Sequence, residues 1–290
     1  MAGVKLNDTQ MQTFIRDGFV VVNTALSGDF HAEMFDKIEN LIAIEGNPGN
    51  NILARIPELQ QVIDDPYVDG ALSSIMGDDY YTDPHRHAHF RKPHTEGQKL
   101  HKDSFTKRRH HNRWMVAFYY PQNTPVEIGP TGIIPGSQYR NVIPENSYDR
   151  ELPLAGPAGR VAIANYDIVH RGMSNTTDNN RYMVKFLFNR MTEPTEPTWD
   201  YGGTQWVNTD NLIDPLWRYL WDWHRGVAPQ VFGTTDNGFM DSIRSNDEDA
   251  AFSAAYSLMN ADSGQIDTLI EILTDDSAKV WVSSAASEDR

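Results

Sequence analysis

The residues with the most pointed chemistry are His101 and Asp103, in the string Leu100-His101-Lys102-Asp103. In an extended segment, residues two apart point the same way, so an imidazole and a carboxylate at this spacing can reach one metal ion. A third ligand must come from elsewhere. His170 is placed for it, ending the run Val161 to Val169, which as a strand would deliver it to the mouth of a sheet. Two imidazoles and one carboxylate leave about three positions of an octahedral iron open, the arrangement of non-haem Fe(II) oxygenases. Arg181 follows His170 by eleven residues and opens the next apolar run, Tyr182 to Phe188. A loop over Gly172 to Asn180 brings it beside the metal, where its planar fork can hold a carboxylate through two hydrogen bonds. That pairing suits a dicarboxylate whose other end, a 2-oxo acid, chelates the iron.

Seven of the ten histidines lie between His85 and His111. His85, His87 and His89 share one face if Tyr81 to Phe90 is a strand, giving either a three-histidine metal face or the polar wall of a cavity. The wall is the simpler reading. Just beyond the His-x-Asp motif, Lys107-Arg108-Arg109-His110-His111-Asn112-Arg113 forms a basic stretch. Its Lys107, Arg108, Arg109 and Arg113 are candidate contacts for a phosphate or carboxylate substrate. A solvated loop paired to the acidic remainder of the chain is the alternative. Trp114, Phe118 and Tyr120 alternate along one strand face and could line the pocket, but core is the simpler reading, while His31 and His224 read as surface or capping residues.

Helices come first along the chain. Asn7 and Gln10 make a capping box, flanked by Leu6 and Met11 as a hydrophobic staple, and Asp17-Gly18 stops the helix. Phe19 to Val22 reads as a strand. A second helix follows Ser27, with Phe30, Met34, Ile38 and Leu41 on its apolar side, and Gly46-Asn47-Pro48-Gly49 breaks it. Asp65-Pro66 caps a third, ended by Gly77. From about Tyr80 short β-branched and aromatic runs take over: Trp114 to Tyr120, Gly132 to Pro135, Arg160 to Tyr166 and Met183 to Phe188. Many short strands joined by long Gly- and Pro-bearing loops predict an antiparallel double sheet, not a βαβ array.

In this order the motifs resemble those of the phytanoyl-CoA dioxygenase-like branch of Fe(II)/2-oxoglutarate oxygenases. The opening Leu6 to Gln10 with Arg16-Asp17-Gly18-Phe19-Val20 is similar to that family's N-terminus, and Leu100 to Asp103 to its first metal motif. Gly129-Pro130-Thr131-Gly132-Ile133-Ile134-Pro135-Gly136-Ser137 resembles its turn-and-strand between ligands. Val169-His170-Arg171-Gly172 with Arg181 resembles its distal ligand and cosubstrate anchor. The resemblance spans roughly residues 6 to 190. It implies a double-stranded β-helix (jelly roll, cupin-like) core, so that with the N-terminal helices and a C-terminal helical extension read from the residues the fold is expected to be mainly β. It also implies Fe(II) on His101, Asp103 and His170, and 2-oxoglutarate on Arg181. O₂ would be consumed, succinate and CO₂ released, and a small-molecule substrate oxidised, most simply by hydroxylation. Asp103 argues against halogenation, because related halogenases lack the carboxylate. The chain departs from the family where Gln138 follows Pro135-Gly136-Ser137 in place of histidine, and where Gly172 stands at a position some members give to serine. The alternatives are an inactive metal-binding jelly-roll module and a cupin-type metal enzyme that does not use 2-oxoglutarate.

Composition bounds the rest. The 290 residues contain no cysteine, which excludes disulfides, thiolate metal sites and a cysteine nucleophile. A formal charge of −15 argues against nucleic acid as a partner. That charge is an average over unlike regions: residues 236 to 290 carry twelve acids against three bases, whereas residues 85 to 113 carry nine bases against two acids. No apolar run is long enough to span a membrane, and the polar start lacks the apolar region of a signal peptide, so a cytoplasmic protein is expected. No GxGxxG or GxxxxGK[ST] string is present. The expected organisation is an oxygenase domain over 1–200, a Trp-rich helical segment over 201–233 packed on it, and an acidic helical extension over 234–290. In that extension Asp249 to Leu258 and Ile266 to Leu273 resemble one HEAT-type repeat, with Val280 to Ala286 opening another.

Overall fold

A computed structural model describes residues 3–103, 110–143, 145–228, 239–243, 245, 247–257 and 263–274. Contacts divide the chain into two units, one of Met1–Tyr139, Ile143–Thr204 and His224–Gly226, the other of Arg140–Val142, Gln205–Trp223 and Val227–Arg290.

The first unit opens on α1 (Asp8–Asp17), where the Asn7 side chain accepts from the Gln10 backbone and Gln10 reaches back to the Asn7 N–H, the reciprocal cap expected from the sequence. Strand β1 (Phe19–Asn23) and helix α2 (Gly28–Glu45) follow. The apolar side of α2 differs from the expected one. Its buried residues are His31, Met34 and Ile38, with Phe30 and Leu41 only half-buried. His31 is therefore no surface residue. Its Nδ1 lies 2.8 Å from the Tyr119 hydroxyl and its Nε2 3.0 Å from Thr24, so both ring nitrogens have partners. Two single-turn helices, α3 (Ile52–Arg55) and α4 (Gln60–Ile63), lead to α5 (Pro66–Met76), which the Asp65 side chain caps.

The strands are β2 (Tyr81–Arg91), β3 (Trp114–Tyr120), β4 (Thr131–Ile133), β5 (Leu152–Pro153), β6 (Arg160–Asn165), β7 (His170–Gly172) and β8 (Arg181–Asn189). They form two antiparallel sheets, ordered β1-β6-β3-β8-β2 and β5-β4-β7. One core cluster joins both sheets. Val116, Phe118 and Tyr120 of β3, Ala162 and Ala164 of β6, and Met183 and Leu187 of β8 pack with Ile133 of β4 and with Leu154. The opposite face of the large sheet, including Met115, Tyr119, Ile163, Val184 and Phe186, is also buried, with α1, α2 and α5 in contact with strands of that sheet. Burial on both faces is why β3 and β8 read as continuous apolar runs instead of alternating ones.

The Gly129-to-Ser137 string owes its glycines to close packing. Gly129 adopts a left-handed φ of 76°, and a Cβ there would lie 2.6 Å from the Met173 carbonyl oxygen. A Cβ on Gly132 would overlap the Glu151 carboxylate, which holds Arg171 through two 2.7 Å bonds.

The second unit contains α6 (Asp214–His224) up to Trp223, together with α7 (Phe239–Ile243), α8 (Glu248–Ser257) and α9 (Ser263–Thr274). On α6, Trp217, Leu220 and Trp221 are buried as one stripe and Trp206 packs on both tryptophans, while Trp223 is half-buried. Asp249 of α8 accepts two bonds from the Arg140 guanidinium, and Glu248 accepts from the Asn141 backbone and side chain. The segment Val280 to Ala286, expected to open a second repeat, lies outside the described residues. His224, which ends α6 and belongs to the first unit, is buried beside Asn112 and is not a surface residue. Among the described residues, no helix is long and apolar enough to cross a membrane.

Candidate metal centre

Two backbone hydrogen bonds place the histidines of the motif opposite each other. The His101 N–H donates to the His170 carbonyl at 3.0 Å and the His170 N–H donates back at 2.9 Å. The chain before His101 thus runs antiparallel to β7, and bonds from Gln98 to Gly172 and from Asn175 to Thr95 extend the pairing. β7 is fixed in turn against β4, where Ile133 pairs with His170. The expected strand does not deliver His170: β6 ends at Asn165, and His170 begins the short strand β7 of the other sheet.

His101, Asp103 and His170 each offer a ligand atom, all within 4.8 Å of one another. Asp103 Oδ1 is 3.7 Å from His101 Nε2, and its Oδ2 is 3.5 Å from His170 Nε2. Both imidazoles have their tautomer set by the backbone. His101 Nδ1 donates to the Lys99 carbonyl and His170 Nδ1 to the Ile168 carbonyl, each at 3.0 Å, which leaves both Nε2 lone pairs directed at the carboxylate. Burial pushes the His170 imidazole down to about 4, against the pull of Asp103, so it is neutral and able to ligate at neutral pH. Burial raises the Asp103 carboxyl, but His170, Lys185 and His101 together outweigh it and hold the group below the ordinary range. Two imidazole nitrogens and one carboxylate oxygen form a donor set that fits Fe(II).

Arg181 begins β8 with its side chain 2 % exposed. Its Nε donates to the Gly129 carbonyl at 2.9 Å, while the buried Nη1 has no partner among the described residues. Burial pulls the guanidinium down to about 10, still ionised at neutral pH. A buried, charged donor without a partner is costly unless a ligand supplies the acceptor.

The structure adds residues that the sequence reading left in the core or the wall. β8 places Lys185 four residues after Arg181 on the same face, 4 % exposed, with its ammonium on Asp103 Oδ2. His87 stands directly across from Lys185 in the β2 register, and His89 across from Met183. The rings of His85, His87 and His89 follow one another at 5.0 and 4.5 Å. Among the described residues these three do not join the metal-ligating group, so the polar-wall reading is the one the geometry supports. Burial holds His87 below its ordinary value and pushes His89 down to about 3. Phe118 and Tyr120 are core as expected, but Trp114 is 40 % exposed and lies against Tyr166. Of the basic stretch, Lys107, Arg108 and Arg109 lie outside the described residues, and Arg113 pairs with Glu193.

Both departures from the resembled motif have local partners. Gln138 donates its side-chain amide to the Ile15 and Arg16 carbonyls at the end of α1. At Gly172 a Cβ would lie 2.7 Å from the Arg91 guanidinium, which donates to the Gly172 carbonyl, so a serine there would require that side chain to shift.

This fold is shared with solved non-haem enzymes. The carbocyclase SnoK and the epimerase SnoN, both α-ketoglutarate-dependent and from nogalamycin biosynthesis, align at TM-scores of 0.53 and 0.55 with 17 % and 16 % identity. The alignments cover 63 % and 64 % of this chain and 84 % and 81 % of theirs. HygX from Streptomyces hygroscopicus, solved with nickel and 2-oxoglutarate, aligns at 0.51 with 14 % identity over 65 % of this chain and 89 % of its own. SnoN has also been solved with Fe³⁺, α-ketoglutarate and nogalamycin RO. No curated protein matches the chain. In sequence, residues 14–183 match the phytanoyl-CoA dioxygenase (PhyH) family, and the chain belongs to that family. It is by class a non-haem iron enzyme that uses 2-oxoglutarate.

Proposed function

We propose that the protein is an oxygenase that hydroxylates a small organic metabolite, with Fe(II) on His101, Asp103 and His170 and the distal carboxylate of 2-oxoglutarate on Arg181. The observation that carries this reading is the convergence of three ligand atoms within 4.8 Å, joined by a buried guanidinium at the start of β8 whose Nη1 lacks an acceptor among the described residues. When bound, the iron and 2-oxoglutarate supply O₂-dependent oxidation, in which 2-oxoglutarate becomes succinate and CO₂ as the substrate is oxidised.

The chain's own residues bind, orient and exclude water. The backbone carbonyls of Lys99 and Ile168 hold the two imidazoles with Nε2 forward. The Gly129 carbonyl fixes the Arg181 plane by holding Nε, which leaves its outer nitrogens for a carboxylate. Phe118, whose ring is 5.7 Å from that of His170, and Met183 wall the site with apolar surface. Such a wall keeps water from quenching an oxidising site. The solved relatives of this fold include a carbocyclase and an epimerase, so hydroxylation is the simplest outcome of the class and not one the fold dictates.

The reading is tested by oxygen consumption and succinate formation on adding Fe(II) and 2-oxoglutarate, alone and with a metabolite panel. Succinate that depends on both additions and is abolished in Asp103→Ala supports it. A wild-type protein that binds iron but forms no succinate with any panel member points instead to a metal-binding module without turnover.

A further inference from the structure

Residues opposite each other in an antiparallel pair share a face of the sheet. His87 stands across from Lys185 and His89 across from Met183. Both imidazoles therefore lie on the face that Met183 turns into the core between the sheets and that Lys185 turns to Asp103. His85 precedes them behind an irregularity in the register, with its ring 5.0 Å from that of His87. The row leads away from the cosubstrate anchor. Arg181 stands across from Arg91, four residues and about 13 Å of strand from His87.

These imidazoles touch one another but nothing polar. Among the described residues no hydrogen bond reaches a side-chain nitrogen of His85, His87 or His89. His89 Nε2 is buried without a partner, while His85 and His87 are half-buried. Polar groups withdrawn from water are normally paired, so an unpaired row calls for a ligand that pairs it. Burial holds His87 below its ordinary value and hence uncharged at neutral pH. An uncharged imidazole carries one N–H donor and one lone-pair acceptor, and so does a hydroxyl group, which can answer either nitrogen. A carboxylate only accepts and an ammonium only donates. Nearby charges also disfavour an anion. Lys185 is already held by Asp103. Asp83, two residues before His85, accepts from the His85 backbone and from Asn189. Burial, Asp103, Asp83 and Asp167 together push the Tyr166 phenol up to about 12, so carboxylates gather on that side.

We propose that His85 and His87 bind the primary substrate through its hydroxyl groups, and that this substrate is an uncharged polyol or sugar. The proposal rests on the iron and 2-oxoglutarate reading of the neighbouring triad and adds a substrate class to it. It moves the substrate contact from the basic stretch around Lys107 to the inner face of β2.

The test titrates the full-length protein, anaerobic, with myo-inositol and methyl β-glucoside. Cyclohexanol serves as the probe with a single hydroxyl, gluconate as the anion and glucosamine as the cation. Binding is read by calorimetry, with and without Fe(II) and 2-oxoglutarate, and by perturbation of the visible charge-transfer band where both are present. The expected result is saturable binding of the uncharged polyols and none of cyclohexanol at equal concentration. His87→Phe and His85→Phe should each weaken polyol binding about tenfold, the loss of one hydrogen bond. His87→Gln, which keeps a donor and an acceptor, should recover most of it. Polyols that do not bind, cyclohexanol or gluconate or glucosamine binding as well as they do, or wild-type polyol binding in both phenylalanine variants overturn the proposal. If His87→Phe does not fold, His85→Phe and the wild-type ranking of probes decide the outcome. A folded His87→Phe that has lost the band before any probe is added also overturns it, because His87 would then support the iron centre. A wild-type protein with no band contradicts the iron and 2-oxoglutarate reading instead, and calorimetric binding of the polyols is judged separately from it.

Discussion

Replacing Arg181 with methionine separates binding from folding. In the wild-type protein the guanidinium is 2 % exposed, with Nε on the Gly129 carbonyl and Nη1 without a partner among the described residues. A bound carboxylate gains two charge-assisted hydrogen bonds, each worth roughly 1.5–3 kcal/mol. Their loss should raise the dissociation constant of 2-oxoglutarate by about two to four orders of magnitude at about 1.4 kcal/mol per decade. Stability should respond differently. Arg181→Met forfeits one neutral-acceptor bond but removes a buried cation whose desolvation costs several kcal/mol, and methionine fills much of the volume. The metal-free variant should therefore be within about 1 kcal/mol of wild type, or more stable than it. The assay pairs anaerobic titration of 2-oxoglutarate into the Fe(II) protein with urea unfolding of the metal-free protein. A variant destabilised by about 3 kcal/mol or more, with 2-oxoglutarate affinity unchanged, would refute the reasoning and make Arg181 a structural residue. Equal loss of iron and 2-oxoglutarate binding would do the same.

Three further outcomes follow from the geometry. Gly129→Ala forces a Cβ into a left-handed residue and against the Met173 carbonyl, and it displaces the acceptor of Arg181 Nε. It should cost about 2–3 kcal/mol of stability and weaken 2-oxoglutarate binding, whereas a variant equal to wild type in both would show that the turn has slack. His89, His110 and His224 are pushed by burial to about 3, to about 4 and well below the ordinary value. Below about pH 6.5 the unfolded chain takes up protons that these folded imidazoles refuse, so stability is full above that pH and falls as pH drops toward the folded values. Each group contributes up to about 1.4 kcal/mol per pH unit in that window. Urea unfolding of the metal-free protein at pH 7 and pH 5 should show the decline, and equal stability at the two values would mean the histidines are solvated. Finally, a chain ended at Gly233 loses Glu248 and Asp249, the partners of Asn141 and Arg140, but keeps every residue of the triad and Arg181. It should remain soluble and bind Fe(II), and aggregation or loss of iron binding would show that the C-terminal segment completes the core.

What could be read in advance follows from which forces act locally. The cap on α1, the strands β3, β6 and β8, and the His-x-Asp spacing are written in short-range patterns, and each was recoverable from the residues alone. The pairing of His101 with His170 is a long-range backbone contact. Only the order of motifs, ending in Arg181, hinted at it. Lys185 was hidden for a physical reason. β8 is buried on both faces, so its run Tyr182 to Phe188 lacks the alternation that would mark one lysine as facing a site. His31 and His224 misled because a lone histidine carries no signal of burial. The ligands that bury them, Tyr119 and Thr24 for one and Asn112 for the other, are up to 112 residues away in sequence.

The central claim is that His101, Asp103 and His170 hold one iron on which 2-oxoglutarate binds. Anaerobic addition of Fe(II) and then 2-oxoglutarate to the wild-type protein, His101→Ala and His170→Ala tests it most directly. The account predicts a visible charge-transfer band in the wild type that requires both additions and is absent from both variants. No band in the wild type, or an undiminished band in either variant, would contradict it.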